Sequence, residues 1–191
     1  MGHIYFIMGV SGSGKGTLIS NIRNLNLPNI HIPLSYRTRL KRENEVDGVD
    51  SYFVSKENFF AGVQNGEFLE YALVHNSEYY GTKFIDVIEN GINLGKIVIK
   101  ELDINGLEEL RKNKPEFDDK YSTIFLNITQ NVLKERIKKR GVFMSNEELE
   151  KRINSSIIEE QKAKVLCNYI IDATKSEKEV LEEVLKIILN K

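Results

Sequence analysis

The sequence predicts an α/β protein in which helices flank a parallel sheet and a smaller lobe is inserted into the chain. Three observations carry this. An apolar run, Ile4-Tyr5-Phe6-Ile7-Met8, opens onto a glycine-rich turn that leads into helical spacing. β-branched runs of strand length then alternate with helical patterns along most of the chain. Between about residues 35 and 82 the alternation stops, and basic, acidic and aromatic clusters take over. Strands separated by helices pair in parallel, because each crossover returns the chain to the same end of the sheet.

The first strand and its turn are the most informative element. Gly9, Val10, Ser11, Gly12, Ser13, Gly14, Lys15, Gly16 and Thr17 follow the apolar run directly. Glycines let a backbone wrap an anion without Cβ clashes, and a helix that starts there aims its positive end at the same point. Lys15 in such a turn reaches the β- and γ-phosphates of a nucleoside triphosphate. The apolar run is too short to cross a bilayer and feeds straight into the turn, so it reads as a core strand and not as a signal peptide.

Downstream, Leu18, Ile22 and Leu25 fall at helical spacing over 17–25. Apolar or β-branched runs predict strands at 30–34, 96–102, 121–128 and 169–171. Helical patterns fall at 107–112, 130–139, 147–165 and 177–190. Pro115, inside the charged stretch 111–120, predicts a solvated loop. A parallel sheet gathers its functional loops at the carboxyl ends of its strands, where the glycine turn already sits.

Composition bounds the setting. The 191 residues suit one domain with small inserted lobes, and 41% apolar with 29% charged residues is ordinary for a globular protein. A net charge of −1 gives no sign of a nucleic-acid or membrane partner. A single cysteine, Cys167, excludes an intramolecular disulfide and suits a reducing, cytoplasmic setting. Its place beside a strand suggests a small buried hydrophobe. His3, His31 and His75 are dispersed, with no metal-ligand spacing between them.

The inserted region carries further chemistry. Arg37, Arg39, Lys41 and Arg42 place four cations within six positions, which suits a second anion site built from bidentate guanidinium forks. Strand-like pieces at 52–54 and 68–74, with a helical pattern at 56–64 between them, predict a small antiparallel lobe. Its core would be Tyr52, Phe53, Phe59, Phe60 and Phe68. Glu70, Tyr80 and Thr82 lie on that lobe, and Glu101 and Asp103 end a core strand. A carboxylate at a strand's carboxyl end beside a triphosphate holds Mg²⁺-bound waters or accepts hydrogen bonds from a ligand.

In order along the chain, the patterns GxxGxGKxTL, SxxxRxxRxxExxG, GEFLEYAxVH, YYGT, ExDxxG and a basic RxxxR segment resemble the guanylate kinase family of P-loop nucleoside-monophosphate kinases. The resemblance runs through nearly the whole chain. It implies a P-loop core at 1–34 and 83–191, with a lid at about 136–152, and a GMP-binding lobe at 35–82. It also implies transfer of the γ-phosphoryl group from ATP to GMP with Mg²⁺ as the cofactor. By the same resemblance, the triphosphate sits in the Gly9–Thr17 loop. Arg39, Arg42 and Tyr80 bind the GMP phosphate, and Ser35, Glu70, Thr82 and Asp103 read the base. Lys15, Arg39, Arg136, Arg140 and Arg152 stabilise the transferring group. The polarity suits this: guanine's N1–H and N2–H₂ donate to carboxylates, and its O6 accepts from a hydroxyl.

Some positions depart from the family pattern. Gly16 stands where a hydroxyl residue usually follows the loop lysine, so no side chain at that position ligates Mg²⁺. Arg37 and Lys41 replace a threonine and a proline. A tyrosine that contacts the GMP phosphate falls at Ser51, with Tyr52 one residue later. After the last core strand, Asp172-Ala173-Thr174 replaces a segment that usually contains asparagine. The departures at Arg37 and Ser51 leave open another acceptor monophosphate. A non-catalytic binding module of the same fold is a second alternative, opposed by the intact loop lysine and the lid arginines.

Overall fold

The computed structural model describes residues 2–74, 78–139 and 146–189. In chain order the elements are β1 (His3–Gly9), α1 (Lys15–Asn24), β2 (Ile30–His31), β3 (Tyr36–Arg37), β4 (Tyr52–Phe53), α2 (Lys56–Gln64), β5 (Phe68–Val74), β6 (Glu78–Lys83) and α3 (Phe84–Val87). They continue with β7 (Ile97–Glu101), α4 (Ile104–Asn113), β8 (Tyr121–Asn127), α5 (Gln130–Lys139), α6 (Asn146–Leu166), β9 (Tyr169–Asp172) and α7 (Glu177–Leu189). Short 3-10 turns cover Ile92–Leu94 and Pro115–Phe117. One sheet has the order β2-β7-β1-β8-β9, the other β4-β3-β6-β5. β2 pairs with β7 and β8 with β9 in parallel register, as the alternation of strands and helices predicts.

The chain divides into two compact units. The first comprises Met1–Ile4, Pro28–Lys100 and Asn105–Tyr121; the second comprises Tyr5–Leu27, Glu101–Ile104 and Ser122–Lys191.

In the second unit, Tyr5, Phe6, Ile7 and Met8 of β1 and Ile124, Phe125 and Leu126 of β8 are almost wholly buried. Strands covered on both faces need continuous apolar runs, which these are. α7 buries Val180, Val184 and Ile188, spaced four residues apart so that one stripe faces inward. Its start is fixed by a reciprocal cap: Glu179 accepts from the Ser176 backbone N–H, and the Ser176 hydroxyl accepts from the Glu179 N–H. Cys167 is half-buried, with Sγ 3.8 Å from Met8 Sδ.

The first unit contains the mixed four-stranded sheet. Phe59 of α2 is the centre of its aromatic core, with ring centroids 4.5 Å from Phe68 and 6.0 Å from both Phe60 and Tyr79. Ser55 caps α2 by accepting from the Asn58 N–H. Phe59 and Phe68 are buried as expected, whereas Tyr52 and Phe60 lie at the exposed rim. The lobe is not purely antiparallel: β3 pairs with β4 in parallel, with Tyr36 opposite Tyr52 and Arg37 opposite Phe53. The intervening loop, 38–51, is long enough to return the chain to the same end before β4 begins.

Two further expectations change. The strand expected at 30–34 stops at His31, two residues before Pro33, which has no N–H to donate to a ladder. The stretch 111–120 is pinned and not simply solvated, because Phe117 is buried and the Tyr121 hydroxyl bonds both Arg111 and Asp118.

Loop 38–51 is folded on its own carboxylates. Glu45 accepts from both terminal nitrogens of Arg39 and from the Arg42 backbone N–H; Asp50 accepts from Val46 N–H, and Asp47 from Phe53 N–H. The Arg39 guanidinium, ahead of the other contacts, lowers the Glu45 carboxyl from 4.5 to about 2. A carboxyl lowered by folding stabilises the native state above its unfolded value, and that stabilisation is lost as pH falls toward its folded value. Urea midpoints measured by circular dichroism should therefore fall between about pH 4.5 and about pH 2, and Glu45→Gln should flatten that decline. Identical declines in both proteins would contradict the role of this carboxylate.

Candidate functional site

The glycine turn of the second unit is shaped by backbone demands. Gly9 has φ +145°, and a Cβ there would approach the Leu126 carbonyl and Ser13 Oγ to 2.7 Å. Gly14, at φ +98°, stands in the left-handed region immediately before α1. A side chain at either position would distort the turn. The first turn of α1 carries no acidic residue, so its positive end is not neutralised from within the helix. Ser13 is buried, and among the described residues its hydroxyl has no hydrogen-bond partner.

Two cations converge on this turn. Lys15 Nζ donates to the carbonyls of Gly9 at 2.5 Å and Val10 at 3.2 Å, with the Glu101 carboxylate 3.6 Å away. Arg136 of α5 donates to the carbonyls of Gly12, Ser13 and Ala173 at 3.3, 3.2 and 2.8 Å. Carbonyl oxygens fix both groups without cancelling their charge. Gly12, Ser13, Gly14, Thr17, Arg136 and Ala173 also line a cavity of about 270 Å³, completed by side chains that include Asn21 and Lys175.

Asp103 belongs to this unit and is exposed just beyond β7. Its electrostatic neighbour Glu159, on α6, has its carboxyl raised mainly by burial and further by Asp103, while Lys15 opposes the shift. Arg152 is exposed on α6. Arg140 and His75 lie outside the described residues. Gly16 is exposed, and a Cβ built on it would meet nothing within 4 Å, so the missing hydroxyl there is not a steric requirement.

The first unit brings most of the other expected residues together. Arg37 stands opposite Tyr80 across the β3–β6 pair, and its guanidinium lies 4.9 Å from the Tyr80 ring centroid. Arg39 Nε donates to the Tyr80 hydroxyl at 3.0 Å, and its guanidinium lies 5.3 Å from the Phe53 ring centroid. Arg37 Nη1 is 3.8 Å from Glu45, and among the described residues its buried Nε has no hydrogen-bond partner. The Arg42 side chain is exposed. Ser51 is fully buried, its hydroxyl donating to the Asp50 carbonyl. Tyr52 does not move into the arginine cluster; its ring stacks on Tyr36 at 4.8 Å.

Two polar pairs complete the unit. Buried Thr82 donates to Glu70 Oε1 at 2.5 Å across the β5–β6 pair. Ser35 Oγ accepts from the buried Lys100 Nζ at 2.7 Å. Sequence reasoning did not single out Glu45, Phe53, Lys100 or Ala173 as site residues. Two signs among them were legible: the glutamate of the SxxxRxxRxxExxG pattern, which is Glu45, and a lysine alone in the apolar run Ile97-Val98-Ile99-Lys100.

Among the described residues, no three His, Cys, Asp or Glu side chains are grouped to hold a metal ion, and no helix is long and apolar enough to cross a membrane.

The guanylate kinase family model matches residues 1–190. A guanylate kinase of Helicobacter pylori is 39% identical over 191 residues, covering 99% of this chain and 89% of that protein. That of Carboxydothermus hydrogenoformans is 39% identical over 140 residues, 73% of this chain and 66% of that one. The crystal structure of guanylate kinase from Anaplasma phagocytophilum superposes with a TM-score of 0.75 at 22% identity, covering 99% of this chain and 85% of that one. At that identity the superposition speaks for the fold, a P-loop-type α/β core, while the family model and the sequence relatives carry the assignment: this chain belongs to the guanylate kinase family.

Proposed function

We infer that the chain transfers the γ-phosphoryl group of ATP to GMP, giving ADP and GDP. Family membership supports the reaction, and the Glu70–Thr82 pair is the observation that carries the choice of acceptor. Thr82 orients the Glu70 carboxylate, and a carboxylate matches the adjacent N1–H and N2–H₂ donors of guanine. Adenine presents the opposite polarity on that edge, so a carboxylate facing it is left badly matched. Ser35 supplies a donor to O6, and Asp103 is a second acidic reader of the base.

The roles follow from charge. The ATP phosphates occupy the Gly9–Thr17 loop, where the α1 N-terminus, Lys15 and the Ser13 hydroxyl act together. The cavity beside Thr17 and Ala173 accommodates the rest of that nucleotide. The GMP phosphate is met by Arg39, Arg42 and the Tyr80 hydroxyl. Arg37 adds a guanidinium there, taking the place of the phenol absent at Ser51. The acceptor oxygen is already anionic, so no general base is needed. Catalysis rests on alignment and on neutralising charge by Lys15, Arg39, Arg136, Arg140 and Arg152. A lid at about 136–152 would exclude water, the competing acceptor.

Mg²⁺ fits as a partner of the phosphates more than of the protein. It keeps several waters and is commonly held by one or two carboxylates together with substrate oxygens. Glu101, beside Lys15 at the end of β7, is the carboxylate suited to hold its waters. Once bound it neutralises charge on the β- and γ-phosphates. The proposed reaction has ATP and GMP as its small-molecule partners and suits a cytoplasmic setting.

Three variants test these roles. Lys15→Ala should lower kcat by at least about 10²-fold in an ADP-release assay, with the fold intact by circular dichroism; normal turnover would contradict the phosphate loop. Glu70→Ala should cost roughly 10–100-fold in kcat/KM for GMP and narrow the gap to AMP. In the unchanged protein, a panel of GMP, dGMP, AMP, UMP and CMP should favour the guanine nucleotides, and preference for another base would overturn the acceptor. Arg37→Met should raise KM for GMP about tenfold with kcat little changed, and an unchanged KM would remove Arg37 from the phosphate cluster.

A further inference from the structure

The Lys100–Ser35 contact has no role in the chemistry described so far, yet it is unusual on physical grounds. Lys100 follows the buried Val98 and Ile99 on β7 and is only 4% exposed. Burying an ammonium is costly unless its protons are taken up by acceptors. Here β2 and β7 run in parallel with His31 opposite Val98, which brings the chain after β2 alongside Lys100. Nζ donates to Ser35 Oγ at 2.7 Å and lies 3.4 Å from the Pro33 carbonyl. Ser35 is half-buried in the same unit.

A serine hydroxyl is both donor and acceptor, so by itself it does not distinguish a base that accepts from one that donates. The ammonium changes this. It has no acceptor capacity, so the Lys100–Ser35 bond has only one polarity: nitrogen donates and Oγ accepts. The Ser35 proton is then turned away from Lys100. Donation from a cation into Oγ also polarises the O–H bond and strengthens it as a donor.

We propose that Lys100 is a specificity-determining positioning residue: by donating to Ser35 Oγ it locks that hydroxyl as a donor, and so selects a purine that carries a carbonyl oxygen at position 6. The inference rests on the reading above that Ser35 faces this edge of the acceptor base. A purine with an amino group there would place N–H against O–H and against the positive charge behind it. Lys100 thus acts through Ser35 without touching the base, while Glu70 acts on the neighbouring donors.

The test is a double-mutant cycle on the full chain with two acceptors. GMP carries oxygen at position 6, whereas 6-thioguanosine 5′-monophosphate keeps the N1–H and N2–H₂ donors but has a poor sulfur acceptor there. Lys100→Met, Ser35→Ala and the double variant are compared with the unchanged protein by kcat/KM for each acceptor, after circular dichroism confirms folding. Lys100→Met should lower kcat/KM for GMP roughly tenfold and that for the thio analogue by less than about twofold, collapsing the preference. Ser35→Ala should do the same, and the double variant should be no worse than either single one by more than about twofold. Lys100→Gln, which retains an N–H donor, should recover part of the preference, and it replaces Lys100→Met in the cycle if that variant does not fold. Equal losses on both acceptors, or effects that multiply in the double variant, would overturn the proposal and reduce Lys100 to a packing role. Were Ser35→Ala to leave the preference intact, the base-reading assignment of Ser35 would fail and this inference with it. A collapse with Ser35→Ala but not with Lys100→Met would sink the Lys100 proposal alone.

Discussion

Phosphate chemistry needs positive charge at fixed points, and the way this chain fixes its cations governs the rest of its design. A flexible lysine or arginine pays for its ordering when it meets an anion; one already held does not. Lys15 and Arg136 are held mainly by main-chain carbonyls, which position them without neutralising them. The carbonyls exist only because the turn adopts its glycine-dependent path, so the loop supplies both the positive helix end and the clamps for its own side-chain cations. Arg39 follows another solution: a carboxylate, Glu45, grips it bidentately while Tyr80 receives its Nε proton.

Much of this was legible in the sequence because it is local. A strand that feeds glycines and then a helix is written in consecutive residues, and β7, β8 and α7 follow from β-branched runs and a four-residue apolar spacing. The Glu70–Thr82 contact was accessible as two motifs, although their meeting depends on the register of β5 against β6. What escaped is non-local or depends on direction. The parallel pairing of β3 with β4 is decided by how loop 38–51 returns, and that is set by Glu45, Asp47 and Asp50 bonding backbone N–H groups. The fate of Ser51 and Tyr52 has the same origin. Once β4 is parallel to β3, Tyr36 and Tyr52 share a register and stack, while Ser51 is buried one residue earlier.

Reading a base requires hydrogen-bond polarity as well as hydrogen-bond reach, and a side chain's polarity is set by what stands behind it. An ionised carboxylate only accepts, so in the proposed site Glu70 needs only orientation, which its bond from Thr82 can supply. A hydroxyl is ambivalent, so Ser35 needs a partner that leaves it no choice. Lys100 is such a partner because an ammonium cannot accept. A buried lysine in a core strand is otherwise a poor use of the position, since an apolar side chain of similar volume would pack there at lower cost.

The same reasoning explains why the acceptor-phosphate cluster is tied to the folding of its loop. Glu45 organises residues 38–51 by accepting from Arg42 N–H, and it also holds Arg39. If Arg39 binds the acceptor phosphate as proposed, that phosphate must share it with a carboxylate that the loop cannot release without loosening. Arg37 lies outside that bidentate grip: its Nη1 is 3.8 Å from Glu45, and its buried Nε has no partner among the described residues. Two guanidiniums thus divide the work, one committed to the loop and one with unspent donor capacity. In the proposed acceptor site, that division gives Arg37 the contact that the serine at 51 does not supply.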